Sequence, residues 1–188
     1  LKIATIADFI AYRRRHDRIV ERLVESELDS RFSGKFHMIV YVNKATYAEH
    51  VALVKGDIDG PGPVLVRMHA FNVLTDVLGD RSAGRGYELH AAMQMIGEEG
   101  RGVVVLIRDT WNTAFSDQVH LRHDLPPKQN AKKSVPPALR DYGVGAQILL
   151  DLGVSEMILL SNTKRTIIGL EGYGLSVVER RPIPAPKD

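Results

Sequence analysis

The chain has 188 residues, enough for one well-buried domain with short appendages and too few for two independent enzymes of ordinary size. Its hydrophobic share of 44% and charged share of 26% are typical of a folded globular protein and argue against disorder. Acidic and basic residues are interspersed and sum to a formal charge of +2, which gives no electrostatic reason to expect nucleic acid as a partner.

The sequence contains no cysteine, which excludes disulfides, a thiolate nucleophile and any metal site built on thiolates. Its longest apolar runs, at 103–107 and 157–160, fall far short of the roughly 20 residues that a membrane-spanning helix needs. The first residues lack the charged start and apolar run of a signal peptide. We therefore expect a cytoplasmic protein without a membrane partner.

The first predicted elements are two helical pieces. A short amphipathic stretch covers residues 5–12. A second helical run extends to Leu28, because apolar residues recur at helical spacing, at Ile19, Val20, Leu23 and Val24.

Strands and helices alternate along the rest of the chain. Strands are predicted at 35–42, 50–55 and 64–69, and a turn at 57–62. A helix is predicted from Tyr87 to Glu98, where Gly100 provides a stop.

A strand at 102–107 precedes a polar stretch, 108–137, that is long for a loop in a compact domain. A helical stripe from Gly145 to Leu152 and strands at 156–160 and 175–178 complete the chain. The predicted class is α+β, with a mixed β-sheet and packed helices.

Five segments carry a family resemblance: EHVALVKGDI, PVLVRMHA, EEGRGVVVL, RDYGVGAQILLDLGV and IIGLEGYGLSVVER. Together they resemble the GTP cyclohydrolase II half of the bifunctional dihydroxybutanone phosphate synthase/GTP cyclohydrolase II proteins. The opening, TIADFIAYRRRHDRIVER, resembles the end of the synthase half and its connection to the cyclohydrolase half. The resemblance implies that residues 1–16 are the end of the synthase half and a linker, that 17–183 form a GTP cyclohydrolase II-like domain, and that 184–188 are a tail.

Members of that family open the guanine imidazole ring of GTP with a zinc-bound water. The resemblance places their three zinc-binding cysteines at Asn72, Ala83 and Arg85 of this chain. An asparagine amide is a poor substitute for a thiolate, alanine offers no ligand atom, and a guanidinium repels a cation. We therefore expect no metal and no cofactor. His69, Asp76 and Asp80 contain alternative ligand atoms, but ordinary surface and loop roles are the preferred interpretation for them.

Other catalytic positions of the family are also changed. Residues 110–112 replace the glutamate, glycine and arginine of its phosphate loop, and Ala138 stands in place of the aspartate that transfers a proton. Arg140 matches the family's nucleophilic arginine, which would lack its partner. We therefore predict no catalytic residues and no cyclohydrolase activity.

Some nucleotide-binding positions persist as remnants in the resemblance: Arg67, His69, Arg140 and Ser161 are kept or conservatively changed, and Glu88 replaces a glutamine. Since the core segments match and the chemical ones do not, the predicted role is to support or regulate an attached synthase in riboflavin biosynthesis. The expected partners are that synthase half and a second copy in a homodimer, and a nucleotide or phosphate ligand stays open. The alternative is an enzyme or nucleotide-sensing module of changed chemistry, with Trp111 stacking on a base and Arg140 clamping a phosphate.

Overall fold

The computed structural model of the chain describes residues 17–82, 84–109, 114–122, 137–163 and 170–185. Within these residues, seven strands form one mixed sheet in the order β1-β2-β3-β5-β4-β6-β7. The strands are β1 (Val20–Ser30), β2 (Gly34–Asn43), β3 (Glu49–Lys55), β4 (Val64–Ala70), β5 (Gly102–Ile107), β6 (Glu156–Leu160) and β7 (Ser176–Arg181).

Three α-helices accompany the sheet in the described part of the chain: α1 (Glu88–Glu99), α2 (Ala114–Arg122) and α3 (Pro137–Asp151). A π-helix, Val73–Val77, and a 3-10 turn, Glu171–Tyr173, complete the elements. The predicted α+β class with a mixed sheet is confirmed. No helix in these described segments is long and apolar enough to cross a membrane.

The sheet has an antiparallel half and a parallel half. Strands β1, β2, β3 and β5 pair antiparallel, whereas β5, β4, β6 and β7 pair parallel. The parallel half needs crossovers, and α1 provides the one between β4 and β5. Because helices then cover both faces, the central strands are apolar on both sides, as in the run 103–107.

Two buried clusters lie on the two faces of the sheet. Val64 and Val66 of β4 join the cluster under α3, which includes Ile148 and Leu149. The alternate residue Leu65 joins the cluster under α1, which includes Leu89, Ala92, Met93 and Ile96. Polar residues that continue this alternation along β4 therefore face α1.

One predicted helix is wrong, because Val20–Ser30 is a strand. It pairs with β2 from Val20 opposite Asn43 to Ser30 opposite Gly34, with an irregularity between Arg22 and Val24. Of the four apolar residues that suggested a helical stripe, Val20 is buried and Ile19 packs against the core, whereas Leu23 is 52% and Val24 56% exposed. Pairing with a neighbouring strand overrides local periodicity here. The helix predicted at 5–12 lies outside the described residues.

The other predicted strands and helices are confirmed, with shifted ends. Helix α1 ends at Gly100, which adopts a left-handed conformation with φ 73°. The last strand extends to Arg181, beyond the predicted 178. The stretch predicted as one long loop contains α2 and leads into α3 at Pro137.

Replacing Gly56 by alanine tests the contact between the end of β3 and the end of α1. Gly56 has φ 65°, and a Cβ there would overlap the carbonyl oxygen of Gly100. The backbone penalty and the forced shift together should lower the free energy of unfolding by about 3 kcal/mol, measured by urea denaturation.

Gly34→Ala is the matched control. Gly34 has the same φ of 65° but nothing within 4 Å of the added Cβ. It should lose only the backbone part, about 1 kcal/mol. Equal losses in the two variants would contradict the predicted overlap at Gly56.

Candidate functional site

The candidate site lies where β4 ends and α1 begins. Arg67 and His69 follow Leu65 on the α1 face of β4, and Glu88 is the first residue of α1. All three polar side chains are buried. Sequence reasoning placed them in a nucleotide cleft, and the structure brings them into direct contact.

Arg67 is paired on both terminal nitrogens. Nη1 donates to the carbonyl oxygen of Leu160 at 3.0 Å, and Nη2 donates to Glu88 Oε2 at 2.8 Å. Nη2 also lies 3.2 Å from His69 Nδ1. Burial lowers the pKa of Arg67, and the adjacent Glu88 carboxylate opposes this effect.

Glu88 is the centre of this cluster. Besides Arg67, its carboxylate accepts hydrogen bonds from Arg85 Nε at 2.9 Å and Nη2 at 3.1 Å, and from Asn162 Nδ2 at 3.4 Å. Burial alone would raise the pKa of Glu88, but the bond from Arg85 and the charges of both arginines outweigh it and lower the pKa. The carboxylate is therefore ionised and fully occupied by internal donors.

His69 and Asp76 form the second part of the cluster. Because Arg67 can only donate, His69 Nδ1 must accept, and the ring proton is on Nε2, which donates to Asp76 Oδ2 at 2.8 Å. Burial would raise the pKa of Asp76, but hydrogen bonds from His69, the Asn72 N–H and the Thr75 hydroxyl lower it. Neither ring nitrogen is left to act as a base.

Two of the three positions that match the family's zinc-binding cysteines, Asn72 and Arg85, are described, and both side chains are hydrogen-bonded to other groups. Asn72 caps the π-helix, its Oδ1 accepting the N–H groups of Leu74 at 2.9 Å and Thr75 at 3.4 Å. Arg85 is bound to Glu88 and donates to the Thr163 hydroxyl at 3.3 Å. Ala83 lies outside the described residues. These side chains do not fit a zinc ion, because one is a cation and the other is used as a helix cap.

Metal-ligand geometry is absent from the described segments, which hold no group of three or more His, Cys, Asp or Glu residues placed to bind an ion. Asp76 was expected to have an ordinary surface or loop role, yet its carboxylate is buried against His69. The expected surface role was wrong for His69 and Asp76, because their side chains pair with each other across the turn after β4 and are buried.

The remaining predicted positions are only partly described. Ser161 follows β6, and its hydroxyl accepts the N–H of Thr163 at 3.2 Å. It therefore lies next to Asn162, which contacts Glu88. Arg140 belongs to α3, but its side chain lies outside the described part, as does Trp111. The nucleotide-binding roles of Arg67, His69, Glu88, Arg140 and Ser161 stay predictions.

Sequence reasoning missed several partners. The Arg85–Glu88 pair has the i, i+3 spacing of a helix-start ion pair and could have been found. The role of Asn162 could not have been found, because its partners lie far away in sequence. Its side chain binds the backbone N–H and carbonyl of Ile183 at 2.8 and 3.0 Å.

A buried histidine on the other face was also missed. His50 accepts the N–H of Arg108 at 3.2 Å, and burial, aided by the Arg108 charge, lowers its pKa to about 4. It lies on the same side of β3 as Ala52 and Val54, away from Glu88. The ring is neutral at physiological pH and serves the core.

Glu88→Gln should be strongly destabilising. The amide keeps the shape but leaves Arg67 and Arg85 without their counter-charge, so the free energy of unfolding should fall by about 3–5 kcal/mol at neutral pH. The control is Glu27→Gln, which breaks an exposed pair whose Lys35 and Glu27 side chains are 72% and 70% exposed. That control should cost less than about 1 kcal/mol in the same denaturation experiment. Equal losses would show that the buried cluster contributes no more than a surface pair.

The same variant should change the dependence of stability on pH. The folded-state pKa of Glu88 lies below its ordinary value of 4.5, so its contribution is present above that value and is lost as pH falls through the folded-state pKa. The difference in unfolding free energy between the unmodified protein and Glu88→Gln should therefore narrow as the pH falls below 4.5, the ordinary pKa of the group. If that difference does not change as the pH is lowered below 4.5, Glu88 is not ionised in the folded protein.

Comparison with known proteins places the chain in a family. The family model for GTP cyclohydrolase II matches residues 21–182. Riboflavin biosynthesis proteins RibBA from two strains of Bacillus cereus are 43% and 44% identical over 192 aligned residues, covering 99% of this chain and 48% of each relative. The chain therefore spans about half the length of these relatives.

A solved structure is also similar. The crystal structure of RibBX, a two domain 3,4-dihydroxy-2-butanone 4-phosphate synthase from A. baumannii, matches with a TM-score of 0.56 and 29% identity. The match covers 99% of this chain and 46% of that one. With the cyclohydrolase match over most of its length and relatives above 40% identity, the chain belongs to the GTP cyclohydrolase II family.

Proposed function

We propose that this chain is a GTP cyclohydrolase II-like domain that supports or regulates an attached dihydroxybutanone phosphate synthase in riboflavin biosynthesis, without hydrolysing GTP itself. In this arrangement residues 1–16 are the end of the synthase half and a linker, 17–183 the domain, and 184–188 a tail. Two facts support a two-part protein: the RibBA relatives are about twice as long as this chain, and RibBX is a two domain synthase. Homodimer formation belongs to the same proposal.

The observation that carries the loss of activity is the internally paired cluster around Glu88. A nucleotide phosphate that bound Arg67 would have to displace a buried carboxylate at 2.8 Å. Leaving that carboxylate buried and unpaired is expensive, so the exchange is unfavourable. A zinc ion near Arg85 would meet a guanidinium already fixed on Glu88.

Proton transfer is blocked at the same place. His69 holds its proton against Asp76 and its lone pair against Arg67. Among the described side chains of this cluster, none is free to accept a proton from water without breaking a buried pair. The site therefore favours a structural role over hydrolysis.

The loss of chemistry can be tested directly. The purified protein should release no formate from GTP and should contain no stoichiometric zinc, as measured by a formate assay and metal analysis. A triple variant, Asn72→Cys, Ala83→Cys and Arg85→Cys, should also release none, because residues 110–112 and Ala138 still lack the family's phosphate-loop and proton-transfer groups. A RibBA relative serves as positive control. Formate release by the unmodified chain would refute the proposed inactivity.

The supporting role needs the full-length protein. Removing everything after residue 16 should lower the turnover of the synthase half severalfold or lower the midpoint temperature of its thermal unfolding. The reason is that a folded neighbour that dimerises raises the effective concentration of the tethered halves. Arg140→Ala should leave synthase turnover unchanged.

Two outcomes would overturn this reading. If the truncated protein equals the full-length one in rate and stability, the domain does not support the synthase. If Arg140→Ala alone lowers turnover, the domain acts through a bound anion, which favours the nucleotide-sensing alternative.

A further inference from the structure

On the α1 face of the sheet, one row of apolar side chains runs across four neighbouring strands. Val24 of β1 pairs with Val40 of β2, and Val40 pairs with Val51 of β3. Val51 pairs with Leu106 of β5, and Leu106 pairs with His69 of β4. Paired residues on adjacent strands point to the same face, so the four apolar side chains form one surface, which we call the apolar row. Val51 and Leu106 pack against the cluster under α1, which identifies the face.

The apolar row lies at the margin of α1 and is incompletely buried. In the adjacent row, Leu53 and Val104 lie under α1 and are only 3% and 0% exposed. The inner three residues of the apolar row are partly buried, and Val24 on the edge strand is 56% exposed. A continuous apolar surface therefore extends from the buried cluster to the edge of the sheet.

The other face of the β1–β2 hairpin is charged. His37 Nε2 lies 2.9 Å from Glu25 Oε2, and Lys35 Nζ lies 3.1 Å from Glu27 Oε2, all on exposed side chains. Antiparallel sheets with one solvated face are polar on that face and pack the apolar face against another surface. The alternation along β1 and β2 therefore indicates that the apolar row is an interaction surface.

Charges of opposite sign border the apolar row. Glu49 precedes Val51 by two positions and Arg108 follows Leu106 by two, so both lie on the face of the row. Their side chains are 53% and 55% exposed, and Arg108 Nη1 is 4.0 Å from Glu49 Oε2. A two-fold axis between β3 and β5 brings Glu49 of one copy opposite Arg108 of another. The same axis brings Val51 opposite Leu106, so this patch is complementary to itself.

We propose that the apolar row is the surface through which two copies of this chain pair, which rests on the homodimer of the proposed function. An aliphatic centre with a rim of adjacent opposite charges has the composition of a two-fold interface. The formal charge of +2 leaves little repulsion between copies.

The start of the domain favours a second copy over the synthase half as the occupant. Ile19 is bound by Gln147 of α3, on the other face of the sheet, so attachment of a preceding half gives no reason to place it on the apolar row. Because the row ends at His69, the second copy lies beside the cluster around Glu88.

Val24→Arg tests the apolar centre of the interface. Val24 is exposed in a single chain, so an arginine there is compatible with folding, which circular dichroism checks. In the dimer it places an unpaired charge against aliphatic side chains, so the dissociation constant should rise at least about tenfold. Analytical ultracentrifugation of the 188-residue chain measures this constant. Val178→Arg is the matched control, since it makes the same change at a valine 50% exposed on β7, at the opposite edge, and should leave the constant unchanged.

Reversing the rim charges shows whether the copies meet as proposed. Glu49→Arg leaves only positive charge at the rim pair, and Arg108→Glu leaves only negative charge. Each variant alone should dimerise at least about tenfold more weakly, because like charges then meet across the axis. An equimolar mixture should recover dimers that contain one chain of each variant. Pairing within one chain cannot produce this recovery, since neither variant retains an opposite pair.

The outcomes separate the surface from the homodimer itself. If Val24→Arg leaves the dimer unchanged, or if the mixture is no more dimeric than either variant, the surface is wrong while homodimer formation stands. A chain that is monomeric at every concentration tested overturns both and points to the synthase half as the occupant of the row. The loss of cyclohydrolase activity and the support of the synthase are decided independently, by the formate assay and by the truncation.

Discussion

The carboxylate of Glu88 joins segments that are far apart in sequence. It accepts hydrogen bonds from Arg67 of β4, from Arg85 before α1 and from Asn162 after β6. A buried guanidinium such as that of Arg67 is tolerated only with a close counter-charge. One ionised carboxylate therefore holds together the ends of β4 and β6 and the start of α1. Asn162 extends the connection to the chain after β7 by pairing with Ile183.

A cluster of this kind changes what the end of the sheet can do. In open α/β arrangements, the carboxyl ends of parallel strands are where ligands bind, because loops there leave polar groups free. Here the polar groups of β4 and α1 bind one another, and His69 is held between Arg67 and Asp76. The cluster provides rigidity without a ligand, which suits a domain whose proposed value is conformational.

The sequence predicted most of the sheet and the two long helices, because the buried strands are continuous apolar runs and α1 and α3 carry clear stripes. Strand β1 was missed because its spacing mimics a helix, and only its pairing with β2 decides the outcome. The family resemblance also singled out Arg67, His69 and Glu88 as remnants of nucleotide-binding positions. It could not show that they neutralise one another, since Arg67 and Glu88 are 21 residues apart and meet only when α1 packs on β4.

Helix α3 connects the core to the point where the preceding chain arrives. Its Gln147 holds Asp17 and Ile19, and its Asp151 accepts hydrogen bonds from Arg22 at 2.6 Å and from the Tyr41 hydroxyl at 2.9 Å. Because the same helix packs its apolar face on the sheet, the first residues of β1 cannot shift without disturbing the core. In the proposed two-part protein, an effect of this domain on the synthase half would therefore pass through β1 and through α3, the helix on the sheet face opposite Glu88. A closed cluster at Glu88 is compatible with such a role, since the cluster and the start of β1 are held by different elements.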